Sequence, residues 1–250
     1  MEIPIKDLPK SQDGLKIVQL SDLHAGSFYS KKPIEEAFRI VRQEKPDMIM
    51  ITGDMVNNNP EEMKMVYSDL KKTTAPLGVY GCLGNHDHWM SPKEHELLLK
   101  IFKELNIDLL INDNRTLTIN GDPFQLAGTD NTGTRQNFAD MGKTLKGLTS
   151  ELPVVLMMHD PINWERKILK KLKIDLMLAG HTHGGQIVLD VLGEKITPTR
   201  AFYKHWSGLY SEGDQHLYVN RGFGTTGPPI RVGVPPEITV ITLRSKDLIS

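Results

Sequence analysis

Five short apolar runs, each halted by a polar or glycine residue, constrain this chain most: Lys16–Leu20, Met48–Thr52, Val79–Leu83, Val154–Met158 and Leu176–Ala179. Runs of this length suit strands buried on both faces beneath helices. Segments with helical spacing lie between them. Ile34, Ala37, Phe38 and Val41 follow Pro33, whose missing N–H is harmless in a first helical turn. Ser91-Pro92-Lys93-Glu94 reads as a capping box. It opens a helix with Leu97, Leu98, Ile101, Phe102 and Leu105 on its apolar face. A third helix is expected over Asn163–Leu172. Shorter strands are expected near Arg115–Ile119, Pro123–Ala127, Gln186–Leu189, Leu217–Asn220 and Glu237–Leu243. This order predicts a layered α/β sandwich, two sheets inside and helices outside. No fixed repeat or low-complexity linker divides residues 1–250, so one domain is expected.

The residues that end the runs carry the chemistry. Lys16–Leu20 leads into Ser21-Asp22-Leu23-His24, and Met48–Thr52 into Gly53-Asp54. Val79–Leu83 leads into Gly84-Asn85-His86-Asp87. The last two runs lead into His159 and into Gly180-His181-Thr182-His183. Sites in open α/β sheets gather at the carboxyl ends of strands. Asp and neutral His bind borderline divalent ions such as Mn²⁺, Fe²⁺ and Zn²⁺. In extended backbone, residues i and i+2 face one side, so Asp22 with His24, and His181 with His183, are each expected to face one centre. Asp22, His24, Asp54, Asn85, His159, His181 and His183 exceed the needs of one ion. They suit two ions that share a carboxylate, the arrangement that clamps both oxygens of an in-line displacement at phosphorus.

Composition closes other routes. The formal net charge is -1, so no global basic field points to a nucleic-acid polymer. Cys82 is the only cysteine, which excludes an internal disulfide and a thiolate metal cluster. No stretch has the length of an apolar membrane span, and Met1–Lys10 lacks a basic-then-apolar signal pattern. The chain as written is expected to be soluble.

The ordered blocks from Ser21 to His183 resemble the signature of calcineurin-like metallophosphoesterases. The resemblance implies a four-layer αββα sandwich. It implies that Asp22, His24 and His183 hold one metal, that Asn85, His159 and His181 hold the other, and that Asp54 bridges. Manganese is favoured over iron or zinc. A metal-bridging hydroxide would attack phosphorus. His86 would protonate the leaving oxygen, with Asp87 orienting its imidazole. The Gly180–Gln186 block resembles a bacterial membrane-associated subgroup, as do the segments Arg221–Gly224, Pro228–Arg231 and Pro235–Glu237. Some members of that subgroup hydrolyse UDP-2,3-diacylglucosamine, and many carry an N-terminal membrane segment. This chain departs from them there, as a catalytic domain cut from a longer protein would. The resemblance therefore implies a membrane-associated or cytoplasmic location and peripheral membrane contact.

A phosphoester is the expected partner. A lipid-linked or sugar-nucleotide diester or pyrophosphate stands beside a soluble diester, a monoester or a nucleotide. A non-catalytic scaffold on the same fold is disfavoured because the ligand set and His86 are intact. Oligomeric state stays open. Arg135, Arg221 and Arg231 are candidate phosphate contacts. Phe28, Tyr29, Phe202, Tyr203 and Trp206 could line an apolar groove or rest on a membrane. The loops Thr129–Phe138 and Pro198–Ser211 are expected to border the site's mouth. His88, His95, His205 and His216 read as surface or core residues.

Overall fold

The computed structural model describes residues 1–248. Its strands are β1 (Glu2–Ile5), β2 (Lys16–Leu20), β3 (Met48–Thr52), β4 (Val79–Cys82), β5 (Ile107–Leu109), β6 (Asp113–Ile119), β7 (Asp122–Gly128), β8 (Thr132–Gly133) and β9 (Gln136–Asn137). They continue with β10 (Val154–Met157), β11 (Leu176–Ala179), β12 (Leu189–Val191), β13 (Glu194–Ile196), β14 (Gly208–Glu212), β15 (Gln215–Val219) and β16 (Thr239–Ser245). The α-helices are α1 (Lys32–Gln43), α2 (Tyr67–Lys72), α3 (Pro92–Glu104) and α4 (Met141–Thr144).

Two six-stranded mixed sheets form the centre, in the orders β1-β16-β2-β3-β4-β5 and β14-β15-β11-β10-β7-β6. β2, β3, β4 and β5 run parallel, as do β7, β10, β11 and β15. Their carboxyl ends therefore collect at one edge of each sheet. Strand alternation builds the layers. Ile17, Met48, Met50 and Ile241 of the first sheet meet Phe124, Leu126, Val155 and Met157 of the second. Val18 and Ile49 turn outward to Phe38, Val41, Leu98 and Phe102 on α1 and α3. Leu156 and Met177 turn outward to Trp164 and Ile168. The result is the expected αββα sandwich. Gln19 lies buried between the sheets and donates to Thr52 Oγ1 at 3.0 Å and the Ala179 carbonyl at 2.9 Å. One amide thus ties β3 to β11.

Several expectations change. The helix expected over Asn163–Leu172 is shorter, a five-residue π-helix over Trp164–Ile168, with Lys170 just beyond it at φ 57°. Trp164 and Ile168 still bury their side chains. Asn163 spends its side-chain amide on the carbonyls of Thr132 and Asp160. No strand spans Gln186–Leu189, because Gln186 sits at φ 54° and Ile187 makes a single bridge to Val232. Glu237 precedes its strand and is buried against Arg221, Tyr218 and Thr239. Edge strands β1 and β14 and the hairpins β8–β9 and β12–β13 lack the continuous apolar signature and went unanticipated. Among the described residues, no helix is long and apolar enough to cross a membrane.

The capping box of α3 forms: the Ser91 hydroxyl accepts from Glu94 N, and the Glu94 carboxylate accepts from Ser91 N at 2.9 Å. This start fixes the helix register. Leu98 is fully buried, whereas its neighbour Leu97 is 41% exposed. Leu98→Ala should destabilise the protein by about 2–5 kcal/mol. Leu97→Ala should stay within about 0.5 kcal/mol. Chemical denaturation of both variants checks the register, and comparable losses would contradict it.

Candidate metal centre

The carboxyl ends of β2, β3, β4, β10 and β11 deliver Asp22, Asp54, Asn85, His159 and His181 to one place. The loops after β2 and β3 run side by side, with Asp22 N donating to Gly53 O, His24 N to Asp54 O and Ala25 N to Met55 O, each at 3.0 Å. Asp22, His24 and His183 bring ligand atoms within 4.8 Å of one another. Asp54, His159 and His181 form a second group under the same limit, and His24, Asp54 and His86 a third. Asp54 Oδ2 lies 3.1 Å from His159 Nε2 and 3.7 Å from His24 Nε2. The expected bridging residue therefore sits between the two expected ligand sets.

The local backbone differs from the expectation. Asp22, His24, Asp54, His181 and His183 all have positive φ, from 43° to 69°. None lies in extended chain, so the same-side argument for i and i+2 fails. His181 and His183 instead part: His183 Nε2 points to Asp22 Oδ1 at 3.3 Å, while His181 joins Asp54 and His159. Tight left-handed turns swing side chains off the strand ends at a cost of about 1–3 kcal/mol each. Gly84 is needed here for close approach, because a Cβ at that position would overlap the Asp54 carboxylate.

Electrostatics fit cations. Burial lowers the pKa of His24 and His181. Burial lowers that of His183 well below the usual range, helped by neighbouring His24 and Arg231. Each shift favours the neutral ring, which offers a lone pair. Burial would also lower His159, but the Asp54 carboxylate outweighs it and pushes the pKa up to about 10. That ring nitrogen takes a proton or a metal ion against Asp54. Burial raises Asp22. Asn85 Oδ1 and His181 Nδ1 are buried without a hydrogen-bond partner. Buried polar atoms rarely stay unpaired, and a cation resolves both. The donors present thus fit two divalent ions.

Asp87 does not do what the resemblance implied. Its buried carboxylate accepts from Asp54 N at 2.8 Å, Gly84 N at 2.9 Å and Met55 N at 3.0 Å. It ties the β3 and β4 loops together. Burial and the charge of Asp54, opposed by those amides, leave its pKa raised to about 6. His86 Nδ1 instead donates to the Asn57 carbonyl at 2.6 Å, and His86 N donates to Asp54 Oδ1 at 2.9 Å. Sequence reasoning missed Asn57, because a main-chain acceptor leaves no residue-type signal. It also missed Trp89, which is 46% exposed with its ring 4.0 Å from that of His86.

The flanking loops stand where expected. Thr134 Oγ1 lies 3.3 Å from His181 Nε2, and Gln136 donates to the Asn85 carbonyl at 3.2 Å. Arg135 is exposed at that turn. The Trp206 carbonyl accepts from Thr182 Oγ1 at 2.7 Å, and the Tyr203 ring lies 5.6 Å from that of His181. Arg221 is used differently: it donates its Nε and its amide to Glu237, as a structural ion pair. Arg231 packs its guanidinium against the carbonyls of His183, Arg221, Gly222 and Gly224, with Nη2 3.3 Å from His183 Nδ1. Phe28 stacks on Phe223, while Tyr29 and Phe202 are exposed. His88 pairs with Asp130 at 2.6 Å and stacks on His95.

The sequence pattern of calcineurin-like phosphoesterases matches residues 15–185. This chain belongs to that family. It is a hydrolase of the metallophosphoesterase class. It is 34% identical to the uncharacterized metallophosphoesterase YkuE of Bacillus subtilis over 95% of this chain and 82% of that one. It is 29% identical to phosphodiesterase YaeI of Escherichia coli over 91% and 82%. It is 30% identical to the transmembrane protein with metallophosphoesterase domain of Bos taurus, matching 98% of this chain but 56% of that protein.

The new role of Asp87 is testable. Asp87→Ala strands three buried amides, each worth about 1–3 kcal/mol when unpaired. The variant should lose stability in denaturant titration and bind less metal by elemental analysis. A stable, fully metallated Asp87→Ala protein would show that the carboxylate does not hold the loops.

Proposed function

We propose that this protein is a dinuclear phosphodiesterase or pyrophosphatase. The observation that carries the reading is the meeting of both ligand groups at Asp54, with His86 beside them. Asp22, His24 and His183 would hold one ion, Asn85, His159 and His181 the other, and Asp54 both. The carboxylate and carboxamide oxygens among these donors favour Mn²⁺, with Fe and Zn acceptable to the imidazoles. Two such ions, when bound, would supply Lewis acidity and a nucleophilic water. His86 donates a proton from Nε2 to the departing oxygen. The neutral ring that remains keeps its proton on Nδ1, the tautomer the Asn57 carbonyl stabilises. The leaving group then lies against Trp89, and Arg135 is within the loop that reaches His181. The Escherichia coli relative is named a phosphodiesterase, which supports a diester substrate.

Work at a membrane surface, as the subgroup resemblance implied, has separate support. The β12–β13 hairpin follows the His183 loop and exposes Leu189, Val191 and Ile196. Leu192 at its turn is wholly exposed at φ 54°, where Asn or Gly is the ordinary choice. Together these side chains form an exposed apolar cluster of the kind that marks a protein or membrane contact. The bovine relative's name places that protein in a membrane. A lipid-linked substrate follows from this reading.

Three variants test these statements. His86→Ala should keep both metals and lose about 10²–10⁴-fold in rate. The loss should shrink for a nitrophenolate leaving group and grow for an alkyl alcohol. Asp54→Ala should lose metal and slow every substrate alike. If His86→Ala arrives metal-depleted, or slows both leaving groups equally, His86 is a ligand and not the acid. Leu192→Asn should weaken sedimentation with phospholipid vesicles while hydrolysis of a soluble aryl diester is unchanged. Equal sedimentation of both proteins would refute the membrane role of the hairpin.

A further inference from the structure

Asn57 stands between two imidazoles of the site. Its side-chain Oδ1 lies 2.8 Å from His24 Nδ1, and its main-chain carbonyl lies 2.6 Å from His86 Nδ1. A carbonyl only accepts, so His86 must carry its proton on Nδ1. The Asn57 amide oxygen imposes the same tautomer on His24. That leaves His24 Nε2 as a lone pair facing Asp22, Asp54 and His183. One residue thus prepares a metal ligand with its side chain and the acid with its backbone.

Asn57 is itself held by a carboxylate. Glu62 Oε2 accepts from Asn57 N at 2.6 Å and Gly26 N at 3.1 Å, and Oε1 accepts from Asn58 N at 3.4 Å. Charge-assisted bonds of this kind are about twice as strong as neutral ones. Gly26 belongs to the loop that carries His24, so Glu62 fastens the β2 loop to the β3 loop. A Cβ at Gly26 would come within 2.6 Å of the Glu62 carboxylate and 2.7 Å of Asn57 Nδ2, so only glycine admits the bond. Glu62 is aimed by a short 3₁₀ turn, Pro60–Met65, whose start is capped by Asn59 accepting from Glu61 N at 2.9 Å.

We propose that Glu62 is the positioning residue of this site, setting His24 for metal binding and His86 for proton transfer through the Asn57 loop. The proposal rests on the reading of His24 as ligand and His86 as acid. It separates two side chains that otherwise look alike. Removing the Asn57 side chain frees His24 but leaves the carbonyl on His86. Removing the Glu62 carboxylate releases the loop and so disturbs both.

The experiment compares the wild type with Glu62→Ala, Glu62→Gln and Asn57→Ala. Mn²⁺ affinity is measured by calorimetry, and imidazole tautomers by ¹⁵N NMR of the metal-free proteins. The rate ratio between alkyl and nitrophenyl leaving groups is measured on the metallated proteins. Glu62→Ala should weaken Mn²⁺ binding by about 10–100-fold, as loss of a ligand's support does. It should also blur the Nδ1–H signals of His24 and His86 and lower the alkyl-to-nitrophenyl ratio. Asn57→Ala should weaken Mn²⁺ binding and blur His24 alone, with the ratio unchanged. Glu62→Gln keeps one acceptor oxygen and should move each readout the same way by less; it decides the matter if the alanine variant fails to fold. Wild-type Mn²⁺ affinity and wild-type tautomer signals in folded Glu62 variants, with only a lower melting temperature, would overturn the proposal. The calorimetry and NMR need no substrate. They stand even if the wild type hydrolyses no phosphoester, which would instead sink the proposed function.

Discussion

Three carboxylates, Asp22, Asp54 and Asp87, lie buried together, and the rest of the site follows from what compensates them. A buried anion without partners costs several kcal/mol. Asp87 is answered by three backbone amides, so its charge is spent on holding loops. Asp22 accepts from the Ser21 hydroxyl at 2.6 Å and from His181 N at 3.0 Å. Asp54 accepts from His86 N and faces His159 and His24. After these contacts, the carboxylates of Asp22 and Asp54 still face the imidazoles of His24, His159 and His183, and burial lowers the pKa of His24 and His183. A pair of divalent ions would supply compensating charge there.

The same demand explains the backbone. A strand presents its side chains to its two faces, and both faces here are packed with apolar residues. Ligands can reach the edge only where the chain turns away within one or two residues. Asp and His tolerate the left-handed region better than most residues do. Five of the candidate ligand positions accept that conformation, which bonds between neighbouring loops hold in place. Glu62 and Asp87 each accept three such bonds, Glu62 between the β2 and β3 loops and Asp87 between the β3 and β4 loops.

What was legible in the sequence divides along these lines. The inner strands were readable because burial on both faces demands continuous apolar runs, as in Met48–Thr52 and Leu176–Ala179. The candidate ligands were readable because the runs stop at them. The edge strands β1 and β14 alternate or contain polar residues, since one side meets solvent, and a short alternating segment resembles a loop. Trp164 and Ile168 have helical spacing, but i and i+4 satisfy a single wide turn as well as a helix. The functions of Asp87 and Asn57 were illegible because both act on or through main-chain atoms. Sequence adjacency suggested that Asp87 serves His86; the 3₁₀ turn at His86–His88 sends their side chains to different partners.

The division of ligands between sheets gives the site its last constraint. Asp22, Asp54 and Asn85 come from the first sheet, and His159 and His181 from the second. The Asp54–His159 contact therefore spans the sandwich, as does the bond from His159 Nδ1 to the Thr52 carbonyl at 2.6 Å. Gln19 makes a third link beneath them. How closely the residues from the two sheets approach is thus fixed by how Met50, Tyr80 and Cys82 pack on Leu126, Met157 and Leu178. A close-packed interior transmits small volume changes as displacement. The inter-sheet core of this enzyme is in that sense part of its candidate metal site, since a shift between the sheets would part Asp22 and His24 from His183, and Asp54 and Asn85 from His159 and His181.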